Sequence, residues 1–106
     1  MNQKITVYVP STIGSEVVDN SSQVAHVADE LCRMFGGATA LPVKGYWKDM
    51  ETGEMVVEDT VQVYAFTTLW KRLTMRQKLI NLVKELKASM KQQMMLLEIN
   101  GNAKLM

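Results

Sequence analysis

The side chains best suited to chemistry are few and lie far apart. His26 is the only histidine and Cys32 the only cysteine. On a predicted helix, six positions place them about 120° apart around the axis, and no third residue orients them. Zinc needs four ligands at suitable spacing, and a Cys-His nucleophilic pair needs contact. The sequence therefore predicts no catalytic residue, no metal site, no cofactor and no enzymatic activity.

A cluster of carboxylates flanks a predicted hairpin turn around Gly53. Paired carboxylates can act as general acid and base in a cleft, but a hairpin tip is exposed to water. The simplest interpretation is that these carboxylates are charged side chains of an exposed loop, solvated by water. The alternative is an acidic patch that competes with nucleic acid for a basic groove on another protein. The residues concerned are Asp49, Glu51, Glu54, Glu58 and Asp59.

Charge is divided unevenly along the chain, although the net charge is only +1. Residues 1–60 carry an excess of acidic side chains, and residues 61–106 an excess of basic ones. The two halves could face each other or a twin subunit, or the basic half could contact phosphates. The candidates for nucleic-acid binding are Lys71, Arg72, Arg76, Lys84, Lys87 and Lys91.

The order of predicted elements is β-α-β-β-α-β. Strands are predicted at Ile5–Val9, around Pro42, over 55–67 and at Met94–Ile99. Helices are predicted after Asn20 and over 75–90, with Thr74–Gln77 as a capping box for the second. Gly36 and Gly37 follow a helix, so they end it and do not form a phosphate loop. We expect one domain over 1–106, a ferredoxin-like sandwich with a four-stranded antiparallel sheet and two helices on one face.

Long apolar residues exceed what two helix stripes and one sheet face require. We expect Tyr46, Trp47, Tyr64, Phe66 and Met95 to lie partly on the open face of the sheet, where a large apolar patch would need a cover. A homodimer or a protein partner would supply it. A lone cysteine excludes an internal disulfide, and the N-terminus has no apolar run typical of a signal peptide or membrane span. The expected compartment is the cytoplasm of a bacterial host cell.

Several motifs resemble known proteins. FGGAT, GYW, TGEMVVED and QVYAFTT are similar to short bacterial proteins classed as domains of unknown function. VYVPST and KQQMMLLEINGN are similar to accessory proteins of phages and mobile elements, among them anti-CRISPR proteins. This resemblance implies a binding protein, which we expect to inhibit a host defence nuclease such as a CRISPR effector. The expected contacts are the five hairpin carboxylates with Tyr46, Trp47, Tyr64 and Phe66.

Two alternatives remain open from the sequence. The first is a nucleic-acid-binding module that uses the basic C-terminal half. The second is a dimeric α/β-barrel enzyme or ligand binder with its pocket between the sheet and the helices. Neither alternative predicts a membrane association.

Overall fold

The computed structural model describes residues 1–106 and contains seven strands and three helices. None of the helices is both long and apolar enough to cross a membrane. The strands are β1 (Gln3–Pro10), β2 (Thr12–Ile13), β3 (Glu16–Val17), β4 (Thr39–Lys48), β5 (Met55–Thr67), β6 (Leu96–Ile99) and β7 (Asn102–Leu105). The helices are α1 (Ser21–Phe35), α2 (Leu69–Thr74) and α3 (Arg76–Ser89).

The main sheet has five antiparallel strands in the order β4-β5-β1-β6-β7, and β2 pairs only with β3. The predicted four-stranded ferredoxin-like sandwich with two helices is therefore wrong. The fifth strand arises at Asn100 and Gly101, whose φ angles are 54° and 83°. Two successive positive φ values are typical of the type I′ turn that reverses a strand within two residues. The chain therefore returns as β7, which pairs with β6 and adds a fifth strand to the sheet.

A helix that the sequence did not predict, α2, lies between the predicted strand over 55–67 and the predicted helix over 75–90. Thr68 caps it, because its hydroxyl oxygen accepts from the Lys71 amide at 3.2 Å. The predicted capping box at Thr74 is wrong, since the Thr74 hydroxyl donates to the Lys71 carbonyl instead. Helix α3 then begins at Arg76 without a side-chain cap. A capping threonine satisfies an orphan amide at whichever helix it precedes, and here that helix is α2.

The hydrophobic core lies between one face of the sheet and helices α1 and α3. Alternate residues of β1 point into it, and Ile5, Val7 and Val9 are fully buried. Each helix contributes one apolar stripe, as its spacing predicts. Gly36 ends α1 in the left-handed conformation at φ 93°, and its amide donates to the Cys32 carbonyl. The helical core residues are Val27, Leu31, Met34 and Phe35 from α1 and Leu79, Leu82, Val83 and Leu86 from α3.

Strands β4 and β5 extend beyond the rest of the sheet as a two-stranded arm. The last β1–β5 pair is Pro10 with Thr60. Beyond it, β4 and β5 pair only with each other, as far as Lys48 and Met55. The long axis of the molecule is 45 Å because of this arm. Strand β4 is an edge strand, as its proline at Pro42 predicts.

Candidate functional site

The face of the sheet that the helices leave uncovered carries polar side chains on its three central strands. Tyr8 of β1 lies directly opposite Gln62 of β5. Thr6, which shares the face of Tyr8, lies opposite Glu98 of β6. Side chains alternate across a strand, and paired residues of antiparallel strands share a face. The register therefore brings Tyr8, Gln62 and Glu98 together on this open face.

Tyr8 is the centre of a hydrogen-bonded chain. The Gln62 Nε2 atom donates to the Tyr8 hydroxyl at 3.3 Å, and the Tyr8 hydroxyl donates to Glu98 Oε1 at 3.1 Å. Burial raises the pKa of Tyr8 above its usual value, and the hydrogen bond to Glu98 and the charge of Glu98 raise that pKa further. The phenol is therefore protonated at neutral pH. It acts at this site as a hydrogen-bond donor and not as a base.

A pocket of about 570 Å³ opens beside this chain, where the β4–β5 arm leaves the sheet. That volume is within the range of small-molecule sites, roughly 300–1,000 Å³. Both polar groups and apolar side chains line it, which is typical of sites that take a ligand of mixed character. The lining residues are Tyr8, Pro10, Val43, Lys44, Gly45, Glu58, Thr60, Gln62, Gln92, Met94, Met95 and Leu96.

Glu58 is the only carboxylate in the pocket lining. It lies opposite Gly45 in the arm, is half-buried, and accepts one long hydrogen bond of 3.4 Å from the Thr12 hydroxyl. Gln92 holds Thr12 in place, since its Nε2 atom donates to the Thr12 carbonyl at 3.0 Å. The backbone around Thr12 is thus fixed, while the second carboxylate oxygen of Glu58 has no partner within the chain.

The charge of this region is uncompensated. The structure has two ion pairs, Arg33 with Asp29 and Lys44 with Asp59, and neither includes Glu58 or Glu98. Lys44 lines the pocket, but its charge is engaged by Asp59 at 3.3 Å. A half-buried carboxylate without a counter-ion favours a cationic ligand. The geometry therefore suits a cation with an apolar body.

The five hairpin carboxylates do not form the predicted single patch. Glu58 and Asp59 are neighbours in β5, so they point to opposite faces, and only Glu58 reaches the pocket. Asp49 lies in the turn at the tip, where its side chain accepts from the Glu51 amide at 2.8 Å. Glu51 and Glu54 are exposed at the same tip.

The four candidate aromatic residues are also divided. Tyr46 and Trp47 are consecutive in β4 and lie on opposite faces, both more than half exposed. Tyr64 and Phe66 share the open face and meet edge to face at 5.7 Å, with the Lys4 ammonium 4.5 Å from the centre of the Tyr64 ring. None of the four lines the pocket. Met95, which was also expected on the open face, is buried in the core.

The basic candidates follow the second half of the chain and do not reach the pocket. Lys71 and Arg72 belong to α2, and Arg72 Nε donates to Gln3 Oε1 at 2.8 Å. His26 and Cys32 are both exposed on α1. No group of three or more His, Cys, Asp or Glu side chains is arranged to hold a metal ion. The remaining basic candidates are Arg76, Lys84 and Lys87 on α3 and Lys91 after it.

Sequence reasoning missed Tyr8, Gln62 and Glu98 as members of one site. Each is a polar residue at an alternate position of a strand whose neighbours are apolar, which is a signal for an uncovered face. Their meeting depends on the register between strands more than 50 residues apart in sequence. No local pattern contains that register.

Comparisons with known proteins match the fold along the whole chain. One similar structure is a phage SAM lyase in complex with S-methyl-5′-thioadenosine, with a TM-score of 0.70 and 18% identity, covering 98% of this chain and 88% of the other. A phage SAM lyase in the apo state has a TM-score of 0.70 and 20% identity, with 99% and 88% covered. No family model and no curated protein matches the chain.

These comparisons overturn two expectations. The chain was expected to be a non-enzymatic, anti-CRISPR-like inhibitor, but the structures with its full-length fold are those of an enzyme. The nucleic-acid-binding alternative stays a prediction. Core side chains such as Leu31 and Leu82 lie between the sheet and the helices, where the barrel-enzyme alternative placed its pocket. The resemblance to domains of unknown function, the homodimer and the protein partner stay predictions.

Proposed function

We propose that the protein is a lyase that cleaves S-adenosylmethionine and releases S-methyl-5′-thioadenosine. The observation that carries the proposal is the match of 98% of the chain to a SAM lyase that holds this nucleoside. The pocket beside Tyr8 supports it independently. Its volume of about 570 Å³ suits a nucleoside-sized ligand, and its one unpaired carboxylate suits a ligand with positive charge.

S-adenosylmethionine matches both the negative charge and the apolar wall of the pocket. S-adenosylmethionine carries a sulfonium and an ammonium group, which Glu58 can attract, and an apolar methylthio group and adenine ring. Met94 and Leu96 give the pocket wall its apolar part, and the Met94 side chain is flexible enough to adapt to a ligand. The Tyr8 hydroxyl donates its proton to Glu98 and accepts from Gln62, which leaves one lone pair that can accept a hydrogen bond from the substrate.

The reaction needs no water and no redox partner. The bond between sulfur and the γ-carbon breaks, and its electron pair stays on sulfur, which becomes neutral. An oxygen of the substrate's own carboxylate forms the new bond to the γ-carbon, which closes a lactone. No unengaged cation lines the pocket to hold that carboxylate, because Lys44 is paired with Asp59. The role of the chain is to fold the substrate so that carboxylate and γ-carbon meet.

The test is the rate at which the purified chain forms S-methyl-5′-thioadenosine from S-adenosylmethionine, followed by chromatography and mass spectrometry against spontaneous decay. Glu58→Gln keeps the shape and removes the charge, and charge-assisted contacts contribute about 1.5–3 kcal/mol. We expect a rate about ten- to a hundredfold lower. Glu54→Gln, at the exposed arm tip, is the matched control and should keep full activity. A rate equal to spontaneous decay, or equal rates in the two variants, would refute the proposal.

A further inference from the structure

A second cavity lies on the opposite side of the sheet, between α3 and the β6–β7 hairpin. It measures about 420 Å³. Leu97 of β6 lies opposite Lys104 of β7, so both point to the helix side, whereas Glu98 points to the open face. The cavity shares no residue with the pocket beside Tyr8. Its lining is Arg76, Leu79, Ile80, Leu97, Ile99, Lys104, Leu105 and Met106.

The side chains that line the cavity are either apolar or positively charged. Six of its eight lining residues are apolar, and the other two are Arg76 and Lys104. Neither cation forms an ion pair, since the two ion pairs of the chain involve Arg33 and Lys44. No acidic side chain lines the cavity, and the first turn of α3, which begins at Arg76, contains no acidic residue.

We propose that this cavity binds an unbranched acyl carboxylate of medium chain length. Leu79 and Ile80 of α3 form one apolar wall of the cavity, and Leu97 and Ile99 of β6 form another, so a hydrocarbon tail can be buried between them. The planar guanidinium of Arg76 matches a carboxylate head in two parallel hydrogen bonds, and Lys104 adds a point charge. A small inorganic anion would pair with the cations but leave the apolar walls in contact with water.

The inference does not depend on the lyase activity, because the two cavities lie on opposite faces. Calorimetric titration of the intact chain with decanoate, below its micelle concentration, should show saturable binding of one molecule. Each methylene removed should weaken binding about fourfold, so octanoate should bind about fifteenfold more weakly. Decanol, which lacks the charge, should bind more weakly than decanoate, and inorganic phosphate should not bind.

Variants assign the binding to the cavity. Arg76→Gln and Lys104→Gln remove exposed charges and should each weaken decanoate binding about two- to fivefold. Lys84→Gln removes an exposed charge on α3 away from the cavity and should change nothing. The proposal is overturned if decanoate fails to saturate one site or if decanol binds as tightly as decanoate. It is overturned as well if Arg76→Gln, Lys104→Gln and Lys84→Gln all bind decanoate with the same affinity. It is also overturned if the chain binds anionic phosphatidylglycerol vesicles but not monomeric decanoate.

Discussion

The Tyr8→Phe substitution removes one hydroxyl from the open face and leaves the ring in place. That hydroxyl accepts from Gln62 at 3.3 Å and donates to Glu98 at 3.1 Å. A hydrogen bond to a charged group contributes about 1.5–3 kcal/mol. Because Tyr8, Gln62 and Glu98 are half-buried, water replaces part of the lost contact. We expect the free energy of unfolding to fall by about 1 kcal/mol, which lowers the melting temperature by about 4–8 °C.

Urea unfolding followed by circular dichroism measures this change, with Tyr64→Phe as the matched control. Tyr64 lies on the same face and is also half-buried, but its hydroxyl makes no hydrogen bond within the chain. A cycle with Glu98→Gln isolates the contact, since the effect of Tyr8→Phe should shrink once the carboxylate is gone. The reasoning is refuted if Tyr8→Phe and Tyr64→Phe lower the free energy of unfolding by the same amount. It is also refuted if the loss of stability in the Tyr8→Phe, Glu98→Gln double variant equals the sum of the losses in the two single variants.

Three further outcomes concern stability. The pKa of Tyr8 is raised above 10.0 in the fold, so the stability that its protonated hydroxyl contributes is complete below pH 10.0 and is lost as the pH rises through the raised pKa. In urea unfolding at alkaline pH, the free energy of unfolding should therefore fall more steeply for the wild-type chain than for Tyr8→Phe. Gly36→Ala should lose about 1 kcal/mol in thermal melts because φ is 93°, whereas Gly37→Ala, whose φ is not in the left-handed range, should lose less. Leu31→Ala should lose about 2–5 kcal/mol in urea unfolding because its side chain is fully buried, whereas Cys32→Ala, on the exposed side of α1, should stay within about 0.5 kcal/mol.

The sequence predicted those elements that depend on neighbouring residues, such as a helix with an apolar stripe and a glycine at its end. The stripe that contains Val27 and Leu31 defines α1, and Gly36 ends it, because both depend on neighbouring residues alone. Strand β7 escaped prediction because all four of its residues are exposed, so it has no alternation to detect. The Asn100-Gly101 pair is typical of a two-residue hairpin turn, and it is the local signal in the sequence for the fifth strand.

The site was less accessible to prediction than the fold. Glu58 was a candidate, but for a protein contact at the arm, and its separation from Asp59 follows from the alternation of side chains along β5. Tyr8 and Glu98 meet only because β1 lies between β5 and β6. Strand order is set by packing of the whole chain, which single-residue spacing does not encode.

Both borders of the sheet are poor templates for another strand. On one side, β4 presents Pro42, which lacks an amide hydrogen, together with Lys44 and Lys48. On the other, β7 is four residues long and carries Lys104. Charge and proline at an outer strand discourage ladder growth between molecules. The protein should thus tolerate high concentration without forming fibrils, and two copies that associate should do so through faces or helices.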